Sequence, residues 1–152
     1  MKRFFSTIGI VLLLATGAAA AQQPQAQANR PIPGAIEPNA VRDAGLRVVT
    51  VVDSGQPAQL WNEASSVTKK SVARDAFVAG INKSRQPLGK VVSRNWLSVR
   101  RQSGDGKALP AGLYASAEFL TEFAGKPPVR ELVSFRLDED GAWRFSGYAV
   151  QP

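Results

Sequence analysis

The sequence predicts an α+β domain: about three N-terminal helices packed on a curved four-stranded antiparallel meander. Two observations carry that expectation. Apolar residues recur at about 3.6-residue spacing up to Gly89 and alternate one-on, one-off beyond it. Four alternating stretches then follow one another with only short Gly-, Pro- and Asp-containing loops between them. Helices gathered on one face of such a sheet define the class. Size agrees, since 152 residues with 44% apolar side chains make one domain and can fill one core.

The elements follow in order. Met1-Lys2-Arg3 is a cationic start, residues 4–14 are mostly apolar, and Ala18 to Ala21 are small. That order is the layout of a secretory signal peptide cleaved after Ala21 or one residue earlier, with an uncleaved N-terminal anchor as the other reading, and the apolar run is too short to span a bilayer. Residues 22–38 are rich in Pro, Gln and Ala and offer little hydrophobic surface, so a disordered leader is expected there. The single α+β domain then covers residues 39–152.

Asn39, just after Pro38, is a good N-cap for the first helix. Ala40, Ala44, Val48 and Val51/Val52 form its apolar stripe, and Asp53-Ser54-Gly55 ends it. A shorter helix after Pro57 carries Leu60, Trp61 and Ala64. A third spans residues 71–84 with Val72, Ala76, Phe77 and Ile81 inward, and Pro87 forces a turn over 85–89. Strands are expected over 91–99, 113–123, 129–137 and 143–150. The second places Leu113, Ala115, Ala117, Phe119 and Phe123 on one face. Asp140-Gly141 marks a tight hairpin before the last strand.

Composition excludes several chemistries. With no His and no Cys, a zinc site and a Ser-His-Asp mechanism are ruled out, as are disulfides and lipid anchoring through a cysteine. Neither a cofactor nor a metal is expected: the run Asp138, Glu139, Asp140 lacks calcium-loop spacing, and no Gly-Lys-Ser/Thr follows the Gly104 loop. Loss of Lys2 and Arg3 takes the net charge from +7 to +5. Residues 69–107 hold ten basic side chains against two acidic ones, Asp75 and Asp105. Such a band either keeps the protein soluble or meets an anionic envelope component or acidic protein. Nucleic acid is not expected as a partner, since interleaved aromatic residues are missing.

Alternation makes two charged residues conspicuous. Glu131 shares its face with Val129, Val133 and Phe135, and Arg94 lies between Val92 and Trp96. If both rows face the helices, the two are natural partners, because a buried carboxylate needs a cation or a proton and a guanidinium can grip both of its oxygens. Two readings stay open. One is an ion pair that fixes strand register. The other is the polar floor of a pocket where Arg94 holds an anionic ligand beside Glu131, Trp96 and Tyr148. Arg85, just before the turn, reads as a cation at a helix C-terminus.

Several blocks resemble an exported bacterial family, domain of unknown function 4019. They are Val51-Val52-Asp53-Ser54-Gly55, Trp61-Asn62-Glu63-Ala64-Ser65, Arg85-Gln86-Pro87-Leu88-Gly89 with Ser93-Arg94, and Asp140 to Tyr148. The resemblance covers roughly residues 40–150. Asp53, Trp61, Arg85, Gly89, Arg94, Glu131, Trp143, Gly147 and Tyr148 match the family's pattern. Phe77 departs from it, where the family tends to have Trp, and the loop at Leu109-Pro110 is shorter. The resemblance implies no activity. The helices-then-meander order is also similar to cone-shaped nuclear transport factor 2-like folds and to cystatin-like ones, a likeness of fold that does not carry function.

The expected function is a non-enzymatic periplasmic binding or accessory module, with a small pocket or an anionic partner. One alternative is an enzyme of the cone-shaped class using Glu131 as general acid or base. Another is a purely structural envelope protein. A homodimer is left open.

Overall fold

The computed structural model describes residues 34–152. The expected signal peptide, and the leader up to residue 33, lie outside the described residues. Four α-helices come first: α1 (Pro38–Asp53), α2 (Ala58–Asn62), α3 (Ser66–Ser71) and α4 (Arg74–Arg85), the last running into a 3-10 turn, Gln86–Leu88. Four strands follow: β1 (Val91–Gly104), β2 (Gly112–Phe123), β3 (Val129–Leu137) and β4 (Trp143–Gln151). They pair antiparallel in the order β1-β2-β3-β4, the expected meander. No helix among the described residues is long and apolar enough to cross a membrane.

Pro38 opens α1 at a position where its missing N–H costs nothing. The buried stripe is Val41, Gly45, Val48, Val49 and Val52, about one residue round from the expected one. Ala40 is exposed and Ala44 half-buried. The reason is Gly45. A Cβ there would stand 3.0 Å from the Cβ of Ala117 and from the Phe119 ring, so the helix lies on β2 along its glycine. A count of apolar side chains cannot see that contact.

The expected third helix is α4, and ahead of it lies a short helix, α3, that was not expected. Ser65 caps α3, its hydroxyl accepting from the Thr68 N–H at 3.2 Å, and Asp138 accepts the Ser66 N–H at 2.9 Å. Val72 and Ala73 are extended, and α4 starts afresh at Arg74. Phe77 and Ile81 are buried on α4 as expected, with Val78 packed beside them; Ala76 is exposed. Phe77 joins the layers, its ring 5.4 Å from that of Trp61 and 5.8 Å from that of Phe145.

The core lies between the helices and one face of the sheet. Ala115, Ala117 and Phe119 of β2 meet Val133, Phe135 and Phe145 of its neighbours under α1, α2 and α4. Ile36, ahead of α1, packs against this core. Strand β1 is longer than expected and its faces are not a simple alternation. The register slips between Val91 and Ser93 and again between Trp96 and Ser98. Each slip is a bulge that leaves one residue, Val92 and then Leu97, out of the ladder. Val91 therefore sits opposite Phe123, and Val92, expected inward, is 65% exposed.

Candidate functional site

At the end of the sheet where β1 and β3 begin, six chain segments bring polar groups together. Register alone places Arg94 opposite Thr121, and Glu131 between Phe119 and Val150. Glu131 has no exposed surface. Its Oε2 accepts the Arg94 Nε–H at 2.8 Å and the Thr121 hydroxyl; its Oε1 accepts the Tyr148 hydroxyl at 2.6 Å. Arg94 reaches on to the last residue of α1, giving Nη1–H to Asp53 Oδ2 at 2.9 Å. Arg85, at the end of α4, donates from Nε to Asp53 Oδ1 at 2.9 Å and from Nη1 to the Gly89 carbonyl at 2.8 Å. Its guanidinium lies 4.6 Å above the Phe123 ring centre, a stacking that suits the planar cation.

The network is balanced, with two carboxylates against two guanidiniums. Burial works against the Arg94 charge, but hydrogen bonds from and charges on Asp53 and Glu131 outweigh it and hold the group above its ordinary value. Burial first, and then the neighbouring Glu131 carboxylate, pushes the Tyr148 phenol far up, so it stays a donor. Every hydrogen bond to Glu131 comes from a donor already in place. Among the described residues, Arg94, Thr121 and Tyr148 are the side chains that hydrogen-bond to Glu131.

Of the residues expected to form a ligand site, Arg94, Glu131 and Tyr148 meet. Trp96 does not join them. It stands at the edge of the sheet, 43% exposed, with the Arg42 guanidinium 5.7 Å from its ring centre and its own N–H on the Ser98 carbonyl. Asp53, Arg85 and Thr121 were not expected as partners. Arg85 stands in the last turn of α4, as expected, and is also buried. Thr121 did carry a signal, for it breaks the apolar row Ala115, Ala117, Phe119, Phe123 at the position facing Arg94. Asp53, Arg85, Gly89, Arg94, Glu131 and Tyr148 are also positions where the chain's resemblance to its family was read.

A second polar cluster closes the β3–β4 hairpin. Arg136, buried, holds Asp138 and Glu139 at 3.0 Å each, and Arg144 grips Asp140 with both ends of its fork at 2.7 and 2.6 Å. Among the described residues no group of three or more acidic side chains is placed to hold a metal. Its hydrogen bonds to Arg144 and to the Ala142 N–H depress Asp140 to about 2. A depressed carboxylate adds stability above its unfolded value, and that contribution is lost as pH falls through the folded one. Carbon-detected NMR of Asp140 is expected to show half-titration near pH 2. A midpoint close to 4 would mean that the fork does not persist in solution.

The other feature is a half-open cleft of about 510 Å³ between α1, α2 and the β3–β4 hairpin. Val41, Val48, Leu60, Phe135 and Phe145 line its bottom, Ala44 and Trp143 its sides, and Arg47, Glu63 and Arg144 its rim. Its size falls in the range of about 300–1,000 Å³ typical of small-molecule sites, as does an apolar lining with a few polar groups. None of the network residues lines it. No sequence pattern marked it, because its walls come from both halves of the chain.

No curated protein and no solved structure matches the chain. The family model described as Protein of unknown function (DUF4019) matches residues 44–148, a span that includes every member of the ion network, and the chain belongs to that family.

Proposed function

We propose that the protein is an exported, non-enzymatic binding or accessory module whose ligand sits in the cleft between α1, α2 and the β3–β4 hairpin. The observation that carries this reading is the contrast between the two candidate sites. The Arg94–Glu131 network is saturated by its own side chains, whereas the cleft presents the half-buried apolar side chains of Ile36, Ala44, Val51 and Trp143 to solvent. Export to the periplasm rests on the charged, apolar and small segments of residues 1–21. Likeness to the nuclear transport factor 2-like class rests on element order alone and adds no function.

The test is the mass, under native conditions, of protein taken gently from the periplasm. A species heavier than the chain by on the order of a few hundred daltons is expected, the size of ligand such a cleft holds. Ala44→Trp, which fills the cleft from α1, is expected to remove the extra mass without altering the circular dichroism. A bare chain in both proteins, with no added small molecule bound by either, would overturn the reading.

A further inference from the structure

The rim of the cleft says more about a ligand than its floor does. Among the charged side chains that line it, Arg144 is occupied, its guanidinium 2.6 Å from Asp140 and 3.4 Å from Asp138. Arg47 on α1 and Glu63 just after α2 are different. Both are exposed and both line the cleft, yet neither forms an ion pair or a side-chain hydrogen bond with any other described residue. A cation and an anion thus stand free above an aliphatic and aromatic floor.

We infer that the cleft takes a single-chain amphiphile whose head carries both charges, a lysophosphatidylethanolamine-type lipid. Its acyl chain would lie along the half-buried Ile36, Ala44, Val51 and Trp143, its phosphate at Arg47 and its ammonium at Glu63. This rests on the cleft being the ligand site. The floor selects an apolar body, because covering such surface is the main source of affinity in a dry pocket. A small zwitterion would leave it wet. A peptide would bring backbone N–H and C=O groups against a floor that has no partners for them. The rim selects the head: a purely anionic one faces like charge at Glu63 and a purely cationic one at Arg47, and mismatched charge is how such sites reject competitors. A phosphate beside an ammonium satisfies both, with the guanidinium fork suited to phosphate oxygens.

The test holds the chain constant and varies the head. Lauroyl lysophosphatidylethanolamine, lauric acid, dodecyltrimethylammonium and dodecanol are titrated below their micelle-forming concentrations. Binding is followed by the fluorescence of Trp143, which lines the cleft. The zwitterion is expected to bind at least about tenfold more tightly than either singly charged amphiphile, a difference of about 1.4 kcal/mol. Arg47→Gln and Glu63→Gln, both at exposed positions that leave the fold intact, are each expected to cost the zwitterion about tenfold. Glu63→Gln should at the same time strengthen laurate binding. Equal affinities for all heads, unchanged in both variants but abolished by Ala44→Trp, would overturn the head-group inference and leave the cleft as a ligand site. No binding of any amphiphile, with Ala44→Trp indistinguishable from the parent, would overturn both.

Discussion

Replacing Arg94 with methionine is expected to lower folding stability by about 3–5 kcal/mol, the usual cost of stripping one partner from a buried ion pair. The size follows from what is left behind. Asp53 keeps Arg85, 2.9 Å away, but Glu131, with no exposed surface, keeps only the hydroxyls of Thr121 and Tyr148. Two hydroxyls do not replace a guanidinium in a low-dielectric site. Adding Glu131→Gln to Arg94→Met removes the stranded charge yet keeps an oxygen for Tyr148, so the double variant should be more stable than Arg94→Met alone by 1 kcal/mol or more. Urea unfolding of the single and double variants measures the coupling. Strict additivity of the two losses would show that Arg94 and Glu131 do not stabilise each other.

Gly45→Leu should be the next most damaging change, costing about 1–3 kcal/mol, the range for overpacking a filled core. The first added carbon meets Ala117 and Phe119 at 3.0 Å, and both are wholly buried in the sheet. Neither can yield, so α1 must lift, and Val41, Val48, Val49 and Val52 lift with it. Gly45→Ala is the control. It gains about 1 kcal/mol of helix propensity against the same close contacts with Ala117 and Phe119 but adds nothing beyond them, and is expected to cost less than the leucine. Thermal unfolding of both variants decides the matter. A leucine variant as stable as the parent would show that α1 does not lie on β2 through its glycine.

Those two variants mark where sequence reading succeeded and where it stopped. The pairing of Arg94 with Glu131 was legible from β3, where alternation holds and Glu131 shares its buried face with Val133 and Phe135; on β1 the row that singled out Arg94 does not hold, since Val92 and Trp96 are exposed. The rest of the network was hidden for two reasons. Asp53 and Arg85 sit at helix ends, where acidic and basic residues are ordinary, and only the meeting of α1 with α4 turns them into partners. Thr121 is small and polar enough to pass as a break in the row. Strand β1 was misread where bulges at Val92 and Leu97 each consumed a residue, since periodicity presumes an unbroken ladder. The stripe of α1 was right at Val48 and Val52 but missed Val41, Gly45 and Val49, because its point of closest approach is a glycine, which adds no hydrophobicity to any count. The cleft was invisible because its floor is ordinary core, and only the gap between helices and hairpin makes it a site.

The irregularities in β1 have a consequence for the protein's behaviour in a crowded compartment. This strand spans 14 residues and pairs on one side only, with β2. A straight strand of that length, with Val92, Trp96 and Leu97 exposed along it, would be a template on which further copies could polymerise. The two bulges interrupt its first half, at Val92 and Leu97, so an incoming strand cannot stay in step across that stretch. The same defects that obscure the strand in the sequence thus make the first half of its outer border a poor template for a strand from another molecule.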